Sequence, residues 1–148
     1  MHTQTIPQID FLAPLRELLG RLLMAVTHPT AVRNSLADLV VDLIDAGAGA
    51  GTLEFQTAAS AEVATCTFSD PAFGAAAAGT ATANAITADA SATGGTITKA
   101  VAQDSVGTDC FLCSVTATGG GGDIEMNSVV VSAGQQVSVT SLTYSAPP

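Results

Sequence analysis

Residues 47–69 read Gly47-Ala48-Gly49-Ala50-Gly51-Thr52-Leu53-Glu54-Phe55-Gln56-Thr57-Ala58-Ala59-Ser60-Ala61-Glu62-Val63-Ala64-Thr65-Cys66-Thr67-Phe68-Ser69, and the character of the chain changes within them. Before Gly47 the apolar residues fall at helical spacing. After it the chain is rich in Thr, Val, Ser and Gly, with a turn signal roughly every 8 to 12 residues, which is the pattern of successive short strands. Strands are expected near 52–57, 61–69, 79–87, 95–103, 108–117, 123–131 and 135–145. Turn chemistry separates them at Asp70-Pro71, Gly94-Gly95, Ser105 to Gly107, Gly119 to Gly122 and Ala133-Gly134. With no helical pattern between strands, the expected fold is mainly β: an antiparallel β-sandwich or small barrel of about seven strands over residues 47–148. Gly47 to Gly51 reads as a flexible hinge and Gly119 to Gly122 as a mobile loop tip.

Residues 1–46 form an expected helical N-terminal arm. Leu15, Leu18, Leu19, Leu22, Leu23 and Val26 sit at three-and-four spacing behind Pro14, which suits a first helical turn, and predict an amphipathic helix near 14–26. Thr27-His28-Pro29-Thr30 then supplies breaking and capping residues for a second helix near 30–46. Val32, Leu36, Leu39, Val40, Leu43 and Ile44 make its apolar stripe, Arg33, Asp38, Asp42 and Asp45 lie elsewhere, and Gly47 is placed to end it. The leucine face of 15–26 is read as a subunit-contact helix, the alternative being an ordinary helix that covers the β-domain. Its polar face has two Arg and one Glu, which is not the basic face of a membrane-surface helix.

The chain has 148 residues, enough for one domain that buries roughly 70% of its unfolded surface and too few for two. Much of the apolar fraction of 47% is Ala; there is no Trp, one Tyr and five Phe, so large core residues are scarce. Only 11% of residues are charged, against roughly 25% in an ordinary soluble domain. A surface so poor in charge is expected to be covered by neighbouring subunits. The net charge of −9 is concentrated after residue 33, where Lys99 alone faces the carboxylates. Such a surface repels phosphate and excludes nucleic acid as a partner. No run of about 18 apolar residues is present to span a bilayer, and the leucine stretch is broken by Asp10, Arg16, Glu17 and Arg21, unlike a secretion signal. Synthesis in a cytoplasm, with the three cysteines starting as thiols, is the expectation.

Cys110-Phe111-Leu112-Cys113 is the one motif that suggests chemistry. A redox CxxC sits where a strand passes into a helix, whose N-terminus lowers the thiol pKa; these flanks read as one continuous strand, on which the two sulfurs point to opposite faces. With Cys66 a third candidate and His2 and His28 in the arm, a zinc site lacks its fourth ligand. Buried structural thiols are the expected role. A disulfide among Cys66, Cys110 and Cys113 is the alternative, either inside the chain through Cys66 or between subunits. The glycines at 47–51 follow a helix and precede a strand, the reverse of a nucleotide-binding loop. Asp89, Asp104, Asp109 and Asp123 fall on separate loops without calcium-loop spacing. No catalytic residue, metal site or cofactor is expected, and the chain is not read as an enzyme.

Four groups of residues carry a family resemblance: Val32-Arg33-Asn34-Ser35-Leu36-Ala37-Asp38-Leu39-Val40-Val41-Asp42-Leu43 with Asp45 to Leu53; Phe68-Ser69-Asp70-Pro71-Ala72-Phe73-Gly74 with Thr82 to Thr87; Gly122-Asp123-Ile124-Glu125-Met126-Asn127-Ser128; and Ala133-Gly134-Gln135-Gln136-Val137-Ser138-Val139-Thr140-Ser141. Over residues 31–146 the chain resembles a family of small virion structural proteins of tailed bacteriophages. It departs from that family in the residues before about Met24, in a shorter connection at 58–61, and in its three cysteines. The resemblance implies a virion protein, made in the host cytoplasm, without an active site. The function expected is a capsid decoration, or cement, protein, with a tail or neck component as the alternative. Its implied partners are the major capsid protein or another phage structural protein, together with further copies of itself as a homo-oligomer.

Overall fold

The computed structural model describes residues 26–148. One helix, α1 (Thr30–Val41), tightens into a 3-10 turn at Asp42–Asp45. Ten short strands follow: β1 (Thr52–Gln56), β2 (Glu62–Phe68), β3 (Thr80–Thr82), β4 (Ile86–Thr87), β5 (Gly95–Thr96), β6 (Lys99–Gln103), β7 (Asp109–Ala117), β8 (Ile124–Met126), β9 (Val130–Val131) and β10 (Thr143–Ser145). The fold is mainly β, built on a curled six-stranded sheet in the order β4-β2-β1-β6-β7-β8, beside two-stranded ladders β3-β10 and β5-β9. The described residues hold one helix where two were expected. The helix expected near 14–26 lies outside them, save for Val26.

Ten strands replace about seven because several expected strands change partners midway. Thr80–Thr82 pairs with β10, after which Ala83 N–H donates to Leu142 O and Asn84 N–H to Ala72 O, and Ile86–Thr87 pairs with β2. Likewise β5 pairs with β9, Ile97 N–H donates to Val129 O, and β6 joins β1 and β7. From the expected strand 135–145 only β10 persists, with Val137 bridging to Asp89. A second difference concerns direction. Every ladder is antiparallel except β7-β8, which is parallel and joined by only residues 118–123; parallel neighbours ordinarily need a connection of about a dozen residues. Glycine makes the short return feasible, since a Cβ at Gly120 would lie 2.7 Å from Thr116 Cβ and one at Gly122 2.8 Å from Thr116 Oγ1. The loop folds flat along β7 and is not a free tip.

The inner face of the sheet explains the alanine content. Cys66, Leu53, Ala102 and Phe111 lie in one cross-strand row, and Ala64, Phe55, Ala100 and Cys113 in the next. Small residues flank each large one, so the rows fill space with few bulky side chains. Ala37, Val41 and Ile44 from the helical segment belong to this same buried cluster.

How α1 is oriented departs from its hydrophobic pattern. Asn34 Oδ1 accepts from Gly79 N–H (2.6 Å), Asp38 Oδ1 from Ala76 N–H (2.7 Å) and Asp45 Oδ1 from Ala72 N–H (2.8 Å). This polar side therefore faces the protein, against the alanine-rich segment. Val32, Leu39 and Leu43, expected on the buried stripe, are exposed. The start of α1 also differs from expectation: Pro29 occupies the N-cap without a side-chain bond, and Arg33 N–H donates to Pro29 O.

Gly51 is buried, and its carbonyl accepts from Phe68 N–H. A Cβ there would lie 2.8 Å from Ile44 O, with Gln103 O and Ile44 Cγ2 closer still, so the expected hinge at 47–51 is a packed crossing at its C-terminal end. Gly51→Ala is expected to destabilise the protein by about 1–3 kcal/mol through overpacking, read as a lower urea midpoint. An unchanged midpoint would contradict this packing.

Candidate functional site

The three cysteines are free thiols set apart by the sheet. Cys66 lies on β2, three strand spacings from β7, or roughly 14 Å along the sheet; a disulfide tolerates a Cα separation of up to about 7 Å. Cys110 and Cys113 are three residues apart on β7, roughly 10 Å in an extended chain. Cys110 is the extra residue of a bulge, because Ala102 pairs with Phe111 and Gln103 with Asp109. Its Sγ donates to Thr108 O at 3.6 Å, and the Cys66 thiol donates to Val137 O at 3.5 Å.

Burial pushes all three thiols up from their ordinary pKa. For Cys113 the value reaches about 11, with the Asp123 carboxylate adding to the effect of burial. At Cys110 burial is reinforced by Asp104, and at Cys66 burial dominates. Reactive thiols depend on the opposite shift.

Of the expected contact-helix residues, Leu15, Leu18, Leu19, Leu22 and Leu23 lie outside the described residues; Val26 lies within them and is exposed. Three of the four aspartates expected on loops clamp backbone amides, while Asp109 opens β7 and accepts from the Gln103 side-chain amide. Asp89 accepts from Thr65 and Ser91 N–H, and Asp104 from Val106 and Thr108 N–H. Asp123 accepts from Ser114 N–H and Oγ–H, while Glu125 turns back to accept from Gly119 and Gly121 N–H. Donors at Thr108 hold the Asp104 carboxyl below its usual range, the Ser114 hydroxyl does so for Asp123, and the Gly119 amide for Glu125. Among the described residues no group of three or more His, Cys, Asp and Glu is arranged to hold a metal ion.

An open groove of about 400 Å³ lies between β8 and the segment 135–141. Phe55, Met126, Val131, Val137 and Val139 supply apolar lining, and Asn127, Ser128, Gln135, Gln136, Ser138, Thr140 and Ser141 supply hydroxyl and amide groups. β8 is an edge of the six-stranded sheet. Met126 O accepts from Thr118 N–H on the β7 side, so by the alternation of a ladder the N–H and C=O of Glu125 face outward. An apolar lining beside an open strand edge suits an added extended segment or the flat face of another protein. The groove has no nucleophile beside a base, and its one carboxylate is engaged by glycine amides. Sequence reading placed strands on both sides of this groove but missed the groove itself, which comes from the parallel return of β8.

No family model matches the chain, and comparison with curated proteins and solved structures found no match.

Native protein is expected to react with iodoacetamide at pH 7 far more slowly than free cysteine, with rates rising about tenfold per pH unit as thiolate forms and Cys113 the last to ionise. Rapid stoichiometric labelling at pH 7 would contradict the elevated thiol pKa values.

Proposed function

We propose that this chain is a structural protein of a bacteriophage virion: a capsid decoration protein, not an enzyme, that seats its β-domain on the shell, with the N-terminal helical region adding to the contact. The observation that carries this reading is the groove. Its two walls are residues 124–128 and 135–141, which fall within two of the stretches that resemble phage virion proteins. Two of the four stretches that carry the resemblance thus lie along an uncovered strand edge with an apolar lining. Natural proteins rarely leave such an edge open in solution, because it templates pairing with other chains.

The rest of the surface supports the same reading. Val106, Leu112 and Val130 are each more than 60% exposed on a protein with only 11% charged residues. A partner that covers apolar side chains gains roughly 25 cal/mol for each Å² removed from water. The partners are the major capsid protein and further copies of this chain. Carboxylates clamp the protein's own amides, leaving Lys99 and Arg33 as the basic side chains after residue 25, a poor surface for nucleic acid.

Subunit stoichiometry of purified virions, measured by mass spectrometry, tests the proposal. Hundreds of copies per particle are expected for a shell protein. A few to some dozens would place the chain in the tail or neck and overturn the decoration reading, and absence from the particle would overturn the virion role.

A further inference from the structure

On α1 one apolar face is packed and another is open. Ala37, Val41 and Ile44 are at most 1% exposed, but Val32, Leu39 and Leu43 are 43%, 64% and 49% exposed, with Leu36 half-buried among them. At positions 32, 36, 39 and 43 these four residues have the spacing of a helix–helix seam. Charge is kept off this face. Asp38 and Asp45 turn to the body and accept the amides of Ala76 and Ala72, and Arg33 Nη2 donates to Ala146 O. Only Asp42 is charged and exposed, on a flank that the small residues Ala31 and Ser35 share.

We infer that this face pairs with the same face of a second copy, as an antiparallel two-helix contact across a two-fold axis. In such an interface one patch meets itself, so it has to be its own complement. The row at 32, 36, 39 and 43 meets that condition, because its four-three-four spacing reads the same in both directions. An axis between Leu36 and Leu39 sets Leu36 opposite Leu39 of the second copy, and Val32 opposite its Leu43. Electrostatics selects the antiparallel direction. α1 starts without a side-chain cap and has no acidic residue in its first turn, so the partial positive charge of its N-terminus is unmatched. The two-fold brings Asp42 of each copy beside the first turn of the other, over Ala31 and Ser35, and keeps the two Asp42 levels about 13 Å apart along the helices. A parallel pair would instead bring like helix ends and both Asp42 carboxylates together. One twelve-residue helix buries less than a standard interface, which takes roughly 1,200–2,000 Å², so the dimer is weak, with a Kd on the order of 0.1 mM. This inference goes beyond the virion proposal and stands or falls without it, since it concerns the chain free in solution.

Sedimentation equilibrium of the full chain tests it. The average mass is expected to rise from one chain toward two between about 10 µM and about 1 mM protein. Leu39→Glu, at an exposed position, is expected to weaken association about tenfold or more, and Asp42→Asn about threefold. Leu112→Glu, equally exposed on β7, is expected to leave it unchanged. Oxidising an equal mixture of Val32→Cys and Leu43→Cys chains is expected to give chiefly the mixed disulfide dimer, identified by mass; chiefly self-linked Val32→Cys chains would overturn the antiparallel pairing. A full chain that stays monomeric at about 1 mM would overturn the inference and assign the face to residues 1–25 or to a different protein. Association that Leu39→Glu leaves intact would overturn it as well.

Discussion

Acceptor side chains that take backbone N–H donors hold this protein together where apolar bulk is missing. The stretch from Ala72 to Ala85 has one aromatic residue, Phe73, and otherwise small side chains. It is held against α1 because Asn34, Asp38 and Asp45 accept the amides of Gly79, Ala76 and Ala72. Hydrogen bonds to charged groups contribute about 1.5–3 kcal/mol each, and leaving those amides buried without a partner would cost a comparable amount. Elsewhere Asp89, Asp104, Asp123 and Glu125 fasten loops and strand ends to the sheet in the same way. Thirteen carboxylates against four Lys and Arg are workable because many carboxylates partner amides.

This constraint also explains which parts of the fold were legible in the sequence. The change of texture at Gly47, strands β1, β2 and β7, and the hairpin turn at Ser105 to Gly107 follow from local patterning. α1 was legible as a helix but not in its rotation. Hydropathy alone treats Asp38 and Asp45 as solvated, whereas their partners are amides 38 and 27 residues away in sequence. The partner switches inside 79–87 and 95–103 were equally hidden, because either half of such a segment looks like a strand and only tertiary pairing tells them apart. Gly120 and Gly122 gave a turn signal, but their close approach to Thr116 depends on the parallel return of β8.

The candidate groove follows from the same topology. With β8 brought back parallel to β7, the sheet ends on an open edge facing the segment 135–141. The CxxC spacing was the strongest chemical signal in the sequence, yet the fold places Cys110 in a bulge and Cys113 in a desolvated row beside Ala100, with both pKa values raised.

Hydrogen exchange at the amides of Ala72, Ala76 and Gly79 tests the acceptor stripe most directly, because a chain segment without regular pairing exchanges quickly unless something holds its donors. These three amides are expected to exchange as slowly as those of β1, and Asp38→Ala to release Ala76 first. Exchange at the rate of an open loop in the unaltered protein would contradict it.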